Sequence, residues 1–452
     1  MNYLKIYIPL LLAGLLALPA CNLEETNLNP NDPLDVPMEV LLPPALEAAA
    51  SEMAEDAAVY AGIFAQYFTG VDNQALPVER YLLDESFNMN PIWQDFYNTP
   101  LNTLHMITGK AAQQKSPHYA GVAKVMMALS LGTVTSLWGD VPYSDAFQGA
   151  ENPNPRYDTQ AQLYAAIQQL LDEAIADLDA PESVFSPGAD DVIYNGDLGK
   201  WRKAAHALKA RYYMHTIKRD DQAAAKALDA TAQAFAGPED DFVYTYGFSA
   251  AEQNPWFLYF KNTPYVQVDD FFVDLIKNAK DPREKQLIKR TFGINRVGEY
   301  YAGEFAPIPL MTFAEMKLLE AEARLRSGQP GAQVALQEGL TAHVEAVING
   351  TITADSIANF AQRVGTFSGD FGTDLATIAT QQYIAHFTQI EGWTDFRRTG
   401  LPALPANLNG DNPQNPGGAI PRRFIYPQNE RLFNANFPAS NPNLQDRFWW
   451  DE

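Results

Sequence analysis

The chain has 452 residues and a formal net charge of −23, with 46% hydrophobic and 19% charged residues. That balance fits a packed globular body of one large domain or two, and its acidity argues against nucleic acid, whose phosphates need a cationic face. Cys21 is the only cysteine, which excludes a disulfide framework and a cysteine metal site.

Lys5 precedes an apolar run from Ile6 to Leu18, broken only by Pro9 and Gly14. The run is too short to cross a bilayer, which takes roughly 20 apolar residues, and it reads as an export signal over residues 1–20. Its end, Leu18-Pro19-Ala20-Cys21, resembles the lipobox of bacterial lipoproteins, although Pro19 departs from the usual residue there. Lipidation of Cys21 is therefore expected, with more than one acyl chain needed for a stable anchor. Residues 21–37 follow as a tether: Pro30, Pro33 and Pro37 forbid helix and favour extended chain. Glu24 and Glu25 within it read either as a surface-export signal or as a solvated acidic linker.

From Val40 the pattern turns helical. Ala45 to Tyr67 carries apolar residues at helical spacing. Gly70 to Pro77 is a polar break. Pro91 to Lys110 predicts a second helix with Trp93, Phe96, Tyr97, Leu101, Leu104 and Ile107 on one core-facing stripe, and Pro117 opens a third that runs to about Trp138. Thr159 and Gln162 have the spacing of a capping box, ahead of a helix that Pro181 stops. Lys200 to Arg219 and Ala223 to Ala236 predict a further pair. Residues 241–301 lack a long helical period and are dense in aromatics. Pro309 to Arg326 and Ala332 to Val347 form another pair around Gly328, and one more helix spans about Leu375 to Gly392. From Thr399 onward Asn, Pro and Gly predict long ordered loops. After the leader no apolar run of ~18 residues is evident, nor a series of alternating strands long enough for a barrel. The expected fold is mostly α: tetratricopeptide-like helix hairpins, with long irregular aromatic-rich and Asn/Pro-rich loops.

Motifs for catalysis are missing. The six histidines form no HxxxH or HExxH pair. There is no GxSxG elbow and no phosphate-cradling glycine loop. Asn195, Asp197 and the Asn409–Asp411–Asn412 cluster lack the ordered spacing of a calcium loop and read better as turns. No cofactor and no metal site is expected. A glycosidase would need two carboxylates about 5–9 Å apart across a sugar, and no acidic pair is singled out by its setting.

Several stretches together resemble the SusD/RagB family of outer-membrane lipoproteins, in particular its SusD-like second subgroup. They are CNLEETNLNPNDP (residues 21–33), VLLPPAL (40–46), WGDVPYSDAF (138–147), LLEAEARLR (318–326), EGWTDFRRTGLP (391–402) and IPRRFIYPQNERLFN (420–434). The resemblance implies one helical domain over residues 38–452, with four tetratricopeptide-like helix pairs. It implies a non-enzymatic, surface-exposed, lipid-anchored protein that captures glycans, or peptides in some members, and passes them to a SusC-like TonB-dependent barrel. A surface-anchored glycosidase is the alternative.

Sugar faces stack on aromatic rings while their hydroxyls pair with polar side chains. The candidate ligand residues are accordingly Asp72, Asn73 and Gln74 with Tyr246, Trp256, Tyr259 and Tyr265. Taken singly, each of these rings reads better as pinning a long loop to the helices. The Trp residues of WGDVPYSDAF and EGWTDFRRTG read as plugs between helix pairs, with Arg397 and Arg398 paired to loop carbonyls or acids.

Overall fold

Helix α4 (Pro117–Trp138) packs against the helices Met38–Ser51, Asn102–Gln113, Gln160–Leu178 and Leu198–His215. The computed structural model describes residues 36–84, 87–247, 252–262, 265–438 and 442–452. The export signal, Cys21 and most of the tether thus lie outside the described residues. By length and composition α4 would suffice to cross a membrane, contrary to the sequence reading. It is instead buried nearly all round, which is why its polar face is missing. Close neighbours require small residues along it. A Cβ on Gly121 would stand 2.6 Å from Leu178, and one on Gly132 would stand 2.2 Å from the Tyr212 hydroxyl.

The chain reaches α4 through α1 (Met38–Ser51), α2 (Asp56–Phe64) and α3 (Asn102–Gln113). The single helix predicted over Ala45 to Tyr67 is two, separated by a 3₁₀ turn at Glu52–Ala54 and by Glu55 in extended conformation. The stripe predicted over Pro91 to Lys110 is also interrupted, by a π turn over Tyr97–Leu101 that carries Pro100. Proline has no N–H to give the regular ladder, so the local hydrogen bonding shifts.

After α4, hairpins follow in order: α5 (Gln160–Leu178), then α6 (Leu198–His215) with α7 (Ala223–Thr231). The capping box at α5 forms as the spacing predicts, with Thr159 accepting from the Gln162 amide and Gln162 accepting from the Thr159 amide. The aromatic segment that lacks a long period holds short helices, α8 (Pro255–Asn262) and α9 (Asp270–Asn278). Next come α10 (Phe313–Arg326) and α11 (Ala332–Ile348), α12 (Ala354–Val364), α13 (Phe371–Ala385) and α14 (Ile390–Thr399). The helix predicted from Leu375 to Gly392 is thus divided at residues 386–389, and α12 has no counterpart in the sequence reading.

Strands are short and paired two by two. Antiparallel β1 (Phe68–Gly70) and β5 (Val266–Val268) join the segment after α2 to the aromatic segment, with Gly70 opposite Val266. β4 (Phe242–Tyr244) pairs with β8 (Ile308–Met311), and β2 (Val141–Pro142) with β3 (Tyr157–Asp158). β6 (Ile288–Thr291) and β7 (Ile294–Val297) make a hairpin.

The loops after α14 are ordered by long-range ties. Trp138 Nε1 donates to the Ile425 carbonyl at 2.9 Å, and Trp393 Nε1 to that of Pro421 at 3.0 Å. The Arg397 guanidinium lies 3.6 Å from the Trp393 ring centre and donates to the carbonyls of Ser136 and Arg422. Arg398 instead meets the acids Glu322 and Asp395. The cluster at residues 409–412 serves as turns and anchors: Asn409 donates to Glu79, Asn412 to the Arg80 carbonyl, and Asp411 accepts from the Gly417 amide. Asp197 caps α6 and Asn195 sits at a positive φ of 51°.

Candidate functional site

The break between α1 and α2 has a structural consequence. It presents the side chains of Glu52, Glu55 and Asp56 into a cleft of about 550 Å³. Separate clefts around Tyr81 and Trp93 hold about 310 and 270 Å³. The far wall of the larger cleft is the aromatic segment. There Asn254 opens α8, accepting from the Phe257 amide at 3.2 Å and donating to the Ala306 carbonyl at 2.8 Å. This holds Pro255, Leu258 and Tyr259 against the cleft. Asp95, on the short helix Asn90–Phe96, completes the acidic side with Glu47 and Glu252.

One carboxylate oxygen each from Glu52, Glu55 and Asp95 lies within 4.8 Å of the other two. Burial, and then the neighbouring charges of Glu55, Asp95 and Asp56, push the Glu52 carboxyl up to about 9. Glu55 is raised by burial and by Asp95 and Asp56, Asp95 by burial and Asp56, and Asp56 by burial. No lysine or arginine lines the cleft among the described residues. The wall therefore offers carboxyl groups, acceptors where ionised and donors where protonated, beside apolar and tyrosyl surface, inside the size range of small-ligand sites.

The expected ligand residues are partly brought together. Tyr259 is half-buried and faces the cleft, stacked edge-on against Phe260 and Trp256. Tyr246 also lines it, but is 97% buried, with its hydroxyl 3.0 Å from Ser51 Oγ. It offers an edge rather than a stacking face. Trp256 requires a correction. It is 2% exposed and packs between Phe68 and Phe260, so it belongs to the core. An indole wedged under β1 cannot present a face to a ligand.

Asp72, Asn73 and Gln74 are exposed and do not line the cleft. They follow directly from β1, where the Val71 amide donates to the Tyr265 carbonyl at 2.8 Å. Tyr265, half-buried at the start of β5, therefore sits with them at one end of the ladder rather than in the cleft wall. The sequence reading missed Glu52, Glu55 and Asp95. Three acids in the five residues Glu52 to Asp56, inside an otherwise apolar stretch, were a signal for the first two. Nothing about Asp95 marks it until α2 and the helix carrying Asp95 are seen together.

Comparison with known proteins now has a structure to refer to. The family model SusD-like_2, described as "Starch-binding associating with outer membrane", matches residues 30–306 and 301–427. None of the curated proteins compared matches the chain. Among solved structures, a SusD/RagB family protein from Bacteroides thetaiotaomicron aligns with a TM-score of 0.79 at 23% identity, covering 92% of this chain and 99% of that one. A chitin-binding SusD homologue from Flavobacterium johnsoniae aligns with a TM-score of 0.75 at 22% identity, over 92% of this chain and 96% of its own. A SusD homologue from Bacteroides fragilis gives 0.74 at 21% identity, over 92% and 100%. At such identities these neighbours speak for the fold.

Proposed function

Given that this chain belongs to the SusD-like family of glycan-binding, outer-membrane-associated proteins, which are not enzymes, we propose that it captures a glycan at the cell surface for uptake. In this reading Cys21 carries the lipid anchor, residues 22–37 are the tether, and residues 38–452 form the binding domain. The captured ligand passes to a SusC-like TonB-dependent barrel, since a tethered binder has no transport path of its own.

The observation that supports this reading best is the cleft between α2 and α8. It sets carboxylate acceptors opposite a tyrosine edge, which are the two chemistries a sugar presents in return: hydroxyl donors and C–H faces. Asp72, Asn73, Gln74 and Tyr265 form a second group at the end of the β1–β5 ladder, suited to a longer chain reaching past the cleft.

The test is calorimetric titration of the mature protein with a panel of soluble polysaccharides and their oligomers, with product analysis of the same mixtures. Saturable affinity for one glycan class, with the glycan recovered intact, is expected. Because the acidic cluster holds carboxyls at spacings near those hydrolases use, steady release of oligosaccharides that one Asp or Glu substitution abolishes would overturn the proposal. Affinity for peptides alone would replace the ligand class and leave the capture role.

A further inference from the structure

Glu52 is the one member of the acidic cleft wall that is buried rather than exposed. Its side chain is more than nine-tenths buried, yet it lines the cleft. Among the described residues neither a hydrogen-bond donor nor a cation meets its carboxyl group; its charged neighbours are Glu55, Asp95 and Asp56, all acids. A buried carboxyl left this way is costly, and a folded chain keeps such a group where something else completes it. Its oxygen, with one each from Glu55 and Asp95, forms a triangle whose sides do not exceed 4.8 Å.

We propose that Glu52, Glu55 and Asp95 hold a divalent cation of the calcium type in the wall of the cleft, with open coordination positions turned toward the ligand. The proposal rests on the cleft being the glycan site. Three oxygens so spaced leave a point no more than ~2.8 Å from any of them, which a small inward movement brings to the 2.3–2.6 Å of calcium–oxygen bonds. Magnesium at 2.0–2.1 Å would require a tighter, octahedral cage, and zinc prefers nitrogen or sulfur. Charge gives the same answer. Two positive charges offset most of a three-carboxylate cluster, whereas a single protonated amine would leave two charges unbalanced beside Asp56. The three ligands also come from separate pieces of backbone: the 3₁₀ turn, the extended residue before α2 and the helix Asn90–Phe96. An ion would therefore tie α1, α2 and that helix together. A sugar diol fits the open positions by replacing water on the ion, and Tyr259 lies on the opposite wall for its apolar face.

The test uses the mature protein stripped with a chelator, titrated with CaCl₂ by calorimetry and with Tb³⁺ by tyrosine-sensitised luminescence. Wild type should bind one calcium with a dissociation constant in the ~10⁻⁴–10⁻³ M range of extracellular modules, and its melting temperature should rise with calcium. Glu52→Gln keeps the side-chain shape, so it should fold. Circular dichroism checks this, and Asp95→Asn serves as the second variant. Each should weaken calcium at least tenfold and lose the melting shift. No saturable calcium binding up to ~10 mM, or variants that titrate like wild type, would overturn the site. So would binding of a glucosamine oligomer through the same three residues without any calcium binding. A glycan affinity that survives both the chelator and Glu52→Gln removes the ion from recognition and leaves the capture reading standing. Loss of all glycan affinity with intact calcium binding does the reverse.

Discussion

Arg398 of α14 and Glu322 of α10 meet fork to fork, with Nη1 2.5 Å from Oε1 and Nη2 2.7 Å from Oε2, and neither side chain reaches solvent. Burial alone would raise the Glu322 carboxyl, but Arg398 and then Arg326 outweigh it and hold it down at about 2. Asp395 and Arg326 complete the arrangement. Removing one partner strands a charge in the core, which costs roughly 3–5 kcal/mol. Glu322→Ala and Arg398→Ala should each lower the unfolding free energy by that much, while a paired exchange to Leu and Met should cost distinctly less. Urea titration followed by circular dichroism measures both.

His386 provides a pH signature. Burial opposes its charged form, yet Glu315 and Asp395 beside it prevail and hold its pKa up at about 10. Asp395 Oδ2 lies 3.0 Å from Nδ1, and Glu315 Oε2 lies 3.4 Å from Nε2. A folded pKa above the unfolded value means stability that is fully present below pH ~6.5 and lost as pH rises toward 10, at no more than ~1.4 kcal/mol per unit. His386→Gln should start less stable at neutral pH and show a flatter profile between pH 7 and 10. Melting scans across that interval test the sign; a wild-type profile that rises there would contradict it.

Trp256 and Tyr259 are three residues apart and should behave oppositely. Trp256→Ala empties a site under β1 and should cost about 3–5 kcal/mol of stability. Tyr259→Ala should leave the fold nearly as stable and weaken a bound glycan by about fivefold, since one ring contact is worth about 1 kcal/mol. Thermal melts and calorimetry on the two variants, measured side by side, separate core from ligand wall.

Cys21 bears on where the protein resides. Cys21→Ala should shift it from carbonate-washed envelopes to the soluble fraction, since the remaining chain would have lost its acyl anchor. In native membranes taken up in mild detergent, the wild type should elute with a TonB-dependent barrel. A Cys21→Ala protein that stays with the washed envelopes would count against lipidation.

How much of this could be read from the sequence depends on how local each feature is. The capping box at Thr159 and the limits of α4 are written in neighbouring residues and appear where the spacing places them; so does the helix pair around Gly328, except that α10 begins at Phe313 and not Pro309, because Ile308–Met311 pair with β4 as β8. Trp138 and Trp393 are plugs, as their motifs suggest. The break at Glu52–Glu55 was hidden because its residues suit a helix, and only the acids facing the cleft distinguish it. Trp256 could not be told from Tyr259 by composition, because the difference lies in which face of α8 meets β1. Asp95 joins the cluster only through tertiary packing.

The ties between Trp138 and Ile425, Arg397 and Ser136, and Tyr426 and Asp140 span 287, 261 and 286 residues of chain. The helix hairpins are built from local contacts and need no such wait. Folding therefore has two stages with different contact order: hairpins that form quickly, and a closure that cannot occur until residues 421–426 are available to pair. Until then the buried face of α4 is incompletely covered, and a chain in that state is the form most exposed to aggregation and proteolysis. The C-terminal loops thus act as the fastening that determines when the domain becomes a finished molecule.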